Sequence, residues 1–145
     1  MEHVSVDVVD FVVAAHESLA AAHASKPEAI EMLEAAAAMH TGEFLEEDLA
    51  EDWPAEIRDE VETLGHEVIR VLAFALKAGR DAERAVPWLA RLLTYDPYDE
   101  SIYAALMQVL TAAGRHGEAR RHHHAYVLRM REIGVPAMSW EDMAA

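Results

Sequence analysis

The sequence predicts an all-α fold, a stack of antiparallel helix pairs, six to seven helices in all. Three observations predict it. Apolar residues recur with a period of 34: Ile69, Leu72, Ala73 and Leu76 are matched by Tyr103, Leu106, Met107 and Leu110, and Ala85, Leu89, Leu92 and Pro97 by Ala119, His123, Tyr126 and Arg131. Within each set the spacing is helical. One helix shows a large-large-small-large stripe at i, i+3, i+4, i+7, and its partner a small residue followed by large ones at i+4 and i+7. Composition agrees, because 52% of residues are hydrophobic but only 7% aromatic, with abundant Ala, which favours close-packed helices over a sheet.

A 34-residue period of helix, tight turn and helix is the signature of tetratricopeptide repeats. Neither helix of a pair buries its stripe alone, so pairs stack, and function in such an array comes from surfaces. At 145 residues the chain is expected to form a single domain, 1–145.

Met1 to Val6 reads as short and slightly β-prone. Asp7 is the expected N-cap of the first helix, which presents Val8, Phe11, Val12, Ala15, Leu19 and Ala22 on one face and runs to about Ala24. Ser25-Lys26-Pro27-Glu28 reads as a capping box with proline in the first turn of the second helix. That helix carries Ala29, Ile30, Leu33, Ala36 and Ala37 to about His40 and ends at Gly42. The acidic residues 43–52 are expected to hold a short helical turn pinned by Phe44, Leu45, Leu49 and Trp53.

Asp52 caps a long third helix, with Pro54 in its first turn and Ile57, Val61, Leu64, Val68, Leu72 and Leu76 on its apolar face as far as Ala78. Its acidic opening, Glu56, Asp59, Glu60 and Glu62, suits a helix N-terminus. Asp81 caps a fourth helix to Tyr95, with a mild kink expected at Pro87. Asp99 caps the fifth, which ends at Gly114, and the sixth spans about His116 to Ile133, closed by Gly134 and Pro136. The sequence specifies nothing firm for the tail that holds Trp140.

Charge is unevenly placed. Residues 1–67 hold 18 acids against Lys26 and Arg58, whereas residues 68–145 hold 9 acids against 10 Lys or Arg, which together make the chain's −15. Such a surface repels nucleic acid. The bland account is solubility. The functional account is a face that docks a basic partner domain or the near-neutral half of another copy. No cysteine is present, so there is no disulfide framework, and no apolar run approaches a membrane span. The expected location is cytoplasmic.

In one order along the chain stand Asp7 to Phe11, Gly42-Glu43-Phe44-Leu45, Trp53, Arg58, Asp96-Pro97-Tyr98-Asp99-Glu100, Leu106-Met107, Ala113-Gly114-Arg115, Glu118-Ala119 and Ile133-Gly134-Val135-Pro136. From about residue 6 to 137 the chain resembles the bacterial transcriptional activator domain, which follows a winged helix-turn-helix in antibiotic-regulatory activators of actinobacteria and their relatives. The resemblance implies an all-helical tetratricopeptide-like array. The winged helix has no counterpart in these 145 residues, so the chain alone is expected not to read a promoter. It is either a piece of a larger regulator or a free-standing copy working in trans. His123 stands where the family usually has tyrosine, and Pro87 is unusual within its helix.

His122-His123-His124 invites a metal. Successive helical residues point about 100° apart, so three in a row cannot share one ion, and no HExxH or Cys/His spacing is present. No metal and no cofactor is expected. His123 is expected against the last helix pair with solvated neighbours, and His16 at the crossing of the first two helices. No activated nucleophile or glycine-rich phosphate loop is visible, so no enzyme activity is expected. The inner surface of a tetratricopeptide array is lined by the first helix of each pair. By period, Glu67, Arg70, Phe74, Lys77, Ser101, Ala104, Gln108 and Thr111 line it here. Arg70, Phe74 and Lys77 would hold a carboxylate and an apolar side chain of a peptide; alternatively Phe74 is covered and the rest are ordinary surface.

The expected function is therefore a protein–protein interaction domain of a bacterial transcription regulator. Its partners would be a winged-helix DNA-binding domain, a second copy in a homodimer, polymerase or a sensor domain. The alternative is a free-standing peptide-binding adaptor or chaperone.

Overall fold

The computed structural model describes residues 2–42 and 54–145, with residues 2–7 described by backbone alone. The expectations that fall on residues 43–53, namely the helical turn, the anchoring by Phe44, Leu45, Leu49 and Trp53, and the cap at Asp52, lie outside the described residues. All regular structure among the described residues is helical: α1 Glu2–His23, α2 Ala29–Thr41, α3 Ala55–Ala78, a 3₁₀ turn Ala82–Ala85, α4 Val86–Tyr95, α5 Glu100–Ala112, α6 His116–Glu132 and α7 Trp140–Ala144. This is the expected all-α, tetratricopeptide-like stack. The chain forms two compact units, Met1–Leu72 and Ala73–Ala145.

In the first unit α1 packs on α2. The pair buries Val8, Phe11, Ala15, Ser18 and Ala21 from α1 and Ala29, Leu33, Ala36, Ala37 and His40 from α2. The many small side chains let the two backbones approach closely. Ser18 spends its hydroxyl inside its own helix, donating to the Ala15 carbonyl at 2.9 Å, and so satisfies a buried polar group. From α3 the first unit adds Val61, Val68, Ile69 and Leu72. Gly65 lets α3 pass the ring of His40, which a Cβ at position 65 would overlap.

In the second unit α5 is the hub. It packs against the 3₁₀ turn, α4, α6 and α7. It therefore buries Ile102, Tyr103, Ala105, Leu106, Met107, Val109 and Leu110, more than one face of the helix can hold. Most residues that carry the 34-residue period are core: Ile69, Leu72, Ala73, Leu76, Ala85, Leu89, Leu92, Tyr103, Leu106, Met107, Leu110, Ala119 and Tyr126 are buried, whereas Pro97 and His123 are half-buried and Arg131 is exposed. Asp99 caps α5 as expected, its Oδ1 accepting from the Ser101 amide at 3.1 Å.

Three helices end in the same way. The Lys26 amide donates to the Ala21 carbonyl and the Ser25 amide to Ala22, both at 3.0 Å, with Ser25 at φ 54°. At the end of α5, Arg115 donates to Leu110 at 2.8 Å and Gly114 (φ 78°) to Thr111. At the end of α6, Val135 donates to Met130 at 3.0 Å and Gly134 (φ 69°) to Arg131. Each is a Schellman cap, with the left-handed residue one position past the C-cap.

Four local expectations are corrected. The first helix begins at Glu2 rather than after Asp7, because extending a nucleated helix costs little per residue and outweighs weak β-propensity. Ser25 does not open α2. It closes α1, and α2 starts at Ala29 after Glu28 with no side-chain cap. The fourth helix is split: Asp81 precedes a 3₁₀ turn without a side-chain cap, and Pro87 lies in the first turn of a separate α-helix. A proline ring crowds the carbonyl four residues back, here that of Glu83, so the preceding turn tightens instead of continuing as α-helix. The tail is ordered, and Ser139 caps α7 by accepting from the Asp142 amide at 3.2 Å.

Candidate functional site

Two surfaces, one in each unit, have the geometry of contact sites. In the first unit a groove of about 490 Å³ runs between α1 and α3. Its apolar lining is Val8, Val12, Ile57, Val61 and Leu64, and its polar lining includes Asp59, Glu60, Glu67, Thr63 and His16. The amphipathic pattern of both helices makes it. Val8 and Val61 turn fully inward, Val12, Ile57 and Leu64 are half-buried, and the acids stand exposed beside them. Val9 and Val13 extend the apolar surface along α1, 58% and 49% exposed. This unit carries 18 acids against Lys26, Arg58 and Arg70, so its surface potential is strongly negative. His16 is exposed in this groove, not placed at the crossing of α1 and α2.

His40 is the buried histidine of this unit, 6% exposed. Its ring lies 5.4 Å from that of Phe11 and edge-on to His66 at 6.1 Å. Glu62 Oε2 approaches both imidazoles, at 3.9 Å from His40 Nε2 and 3.4 Å from His66 Nε2.

In the second unit the tail returns over α5 and α6. Met143 is buried with Tyr103, Met107, Tyr126 and Met130, and Trp140 and Ala144 pack at the edge of that cluster. The Tyr126 hydroxyl ties the tail to α5: it accepts from the Met138 amide at 2.8 Å and donates to Glu100 Oε2, at the start of α5, at 2.9 Å. Burial is the main cause that raises the Tyr126 phenol, and the bond to Glu100 adds to it; the Met138 amide opposes both. Gln108 donates to the Met143 carbonyl at 3.2 Å. His123 Nε2, 3.2 Å from the Met138 carbonyl, must carry its proton to make that bond. The His123 ring meets Trp140 edge-on at 5.7 Å, and the Arg120 guanidinium sits 4.1 Å over the Trp140 ring.

The residues expected to line a groove lie on α3 and α5. Glu67 and Arg70 are exposed on α3 in the first unit, and Glu67 lines the acidic groove. Phe74 and Lys77 are half-buried in the last turns of α3, in the second unit. Ser101 is exposed and serves the α5 cap, its hydroxyl 2.6 Å from Asp99 Oδ1. Ala104 packs against the tail cluster and Gln108 binds the tail directly. Thr111 is half-buried, and its hydroxyl has no hydrogen-bond partner among the described residues. Trp140 and Met143 were missed. The available signals were Ser139 as a cap and the helical spacing of Trp140, Met143 and Ala144.

Of the histidine run, His123 packs within the last helix pair as expected, against Tyr126, and also meets Trp140 of the tail; His124 is exposed as expected, but His122 is half-buried rather than solvated. Burial lowers the His122 imidazole, against the opposing pull of Glu118. Arg115 donates to both carboxylate oxygens of Glu118, at 3.0 and 2.7 Å, and holds that carboxyl below its usual range. Among the described residues no group of three or more His, Cys, Asp or Glu is arranged to hold a metal ion, and no helix is long and apolar enough to cross a membrane.

Comparison with curated proteins and with solved structures gives no match. The family model of the bacterial transcriptional activator domain matches residues 6–139, so it spans the motifs from α1 to the turn before α7. The ordered motifs, the 34-residue core period and this match agree, and the chain belongs to the bacterial transcriptional activator domain family, a regulatory domain of transcription.

Proposed function

We propose that the chain is the protein-contact part of a bacterial transcription regulator, and that the α1–α3 groove docks a basic partner, in the first place a winged-helix DNA-binding domain. The observation that carries this is the apolar floor of Val8, Val12, Ile57, Val61 and Leu64 beside the carboxylates of Asp59, Glu60 and Glu67. An apolar floor supplies contact area, and an acidic border selects a partner with Lys and Arg around an aliphatic ridge. A DNA-binding domain must carry such cations for its phosphate contacts. The same acids repel duplex DNA, so this chain contributes contacts between proteins and leaves the phosphates to its partner.

The test is calorimetric titration of the chain with the winged-helix domain of its regulator. Binding is expected at about 0.05 M salt, weaker at about 0.3 M. It should be lost in Glu60→Arg/Glu67→Arg, whose circular dichroism should match the unaltered chain. Unchanged affinity in that variant sinks the proposal.

A further inference from the structure

The tail of this chain is seated as a ligand would be. Helix α7 has five residues, too few to hold a helical shape alone, so its order comes from the surface beneath it. That surface is a cleft of α5 and α6, floored by Tyr103, Met107, Tyr126 and Met130, into which Met143 inserts to 1% exposure. Aromatic rings and thioethers make a soft, adaptable socket for another thioether. The two helices also differ in charge. Helix α6 carries Arg120, Arg121, Arg129 and Arg131 against Glu118 and Glu132, and the seated helix presents Glu141 and Asp142 outward, both exposed. The connection from Ile133 to Ser139 is exposed throughout. The family match ends at residue 139, one position before the seated helix begins.

We propose that this cleft is a binding site for a short acidic helix of a partner protein, bearing Trp and, three positions on, Met, and that Trp140–Ala144 closes it in cis. The parts of the site have separate tasks. Tyr103, Met107, Tyr126 and Met130 take the methionine. Arg120 and His123 clasp the indole from its face and edge. Gln108 binds a carbonyl of the incoming helix, as it now binds Met143. The tethered tail competes at an effective concentration on the order of millimolar, so the site excludes weak ligands and opens to a partner helix that binds more tightly. This proposal concerns the second unit alone and does not depend on the acidic groove.

The experiment uses the full chain and a fluorescently labelled peptide of residues 135–145, followed by anisotropy. Met143→Ala in the chain weakens the tail while leaving the cleft intact. The peptide should bind this variant roughly tenfold or more tightly than the unaltered chain. A peptide with Met143→Glu should bind at least about tenfold more weakly than the natural one, and one with Glu141→Lys and Asp142→Lys should bind more weakly at low salt. The mass of the variant in solution should equal that of the unaltered chain. Absence of saturable binding, equal affinity for both chains, or a variant that doubles its mass by exchanging tails between copies would each overturn the proposal. Should Met143→Ala lose its helical spectrum, hydrogen exchange on the unaltered chain decides. Amides of Met138 and Met143 that exchange well before those of α5 support an opening tail, and amides that exchange together with α5 refute it.

Discussion

Gly65 and His40 give the sharpest test of the packing. Alanine in place of a mid-helix glycine ordinarily stabilises a protein by about 1 kcal/mol. Here the new methyl group would overlap the imidazole of His40. That ring cannot swing aside freely, since Phe11 and His66 flank it at 5.4 and 6.1 Å and it is 6% exposed. Overpacking of this kind costs about 1–3 kcal/mol, enough to outweigh the helix gain. Gly65→Ala should therefore destabilise the chain by up to about 2 kcal/mol, and lower the midpoint by roughly 4 °C per kcal/mol. In a His40→Ala background the obstruction is gone, so the same substitution should stabilise by about 1 kcal/mol. The double-mutant cycle then yields a coupling of about 1–3 kcal/mol. Thermal and urea unfolding followed by circular dichroism would read all four proteins. A Gly65→Ala chain more stable than the unaltered one, or an equal effect in both backgrounds, refutes the close approach of α3 to His40.

Further outcomes follow from the caps and the tail. Ser25 pays for a left-handed backbone that glycine adopts without strain, so Ser25→Gly should stabilise by about 0.5–1 kcal/mol in urea unfolding. By contrast Gly114→Ala, where a Cβ meets nothing within 4 Å, should cost about 1 kcal/mol through backbone strain alone. Tyr126→Phe removes a donor from Glu100 and an acceptor from the Met138 amide. It should cost about 1–3 kcal/mol and accelerate exchange of the Met138 amide. His122 titrates lower in the folded chain than its ordinary value of 6.5, so the unfolded chain takes up that proton first. Its contribution to stability is present above pH 6.5 and is lost as pH falls through that value and below, and His122→Asn should flatten that part of the stability–pH curve.

The stack was legible because its core repeats. Leu72 and Leu106, or Ala73 and Met107, occupy equivalent buried positions, and period alone reports them. What failed to show was set by backbone conformation or by distant partners. Ser25 followed three residues later by Glu28 fits either end of a helix, and only its positive φ shows that it closes α1. Pro87 announced a disturbance but not its form, a 3₁₀ turn ahead of a fresh helix. Of the candidate site, Glu67 lines the α1–α3 groove and Gln108 binds the Met143 carbonyl, neither of which is the shared inner surface that the period suggests. Period could not show that Gln108 is engaged by the chain's own tail. That tail folds only through contacts with α5 and α6, and five residues carry too little propensity of their own to announce a helix. His40 beside Gly65 is a pairing across 25 residues of sequence that no local pattern encodes.

The three Schellman caps bear on how such a domain diversifies. At each reversal the orphan carbonyls are met by main-chain amides, and the only demand on the sequence is a residue that tolerates a left-handed bend. Lys26, Arg115 and Val135, which donate the bond that spans more residues in each cap, do so through the backbone whatever side chain they bear. The turns thus hold their shape independently of the chemistry displayed on them. A lineage can rewrite the letters at these corners, and with them the neighbours the domain accepts, while the course of the chain between helices stays the same.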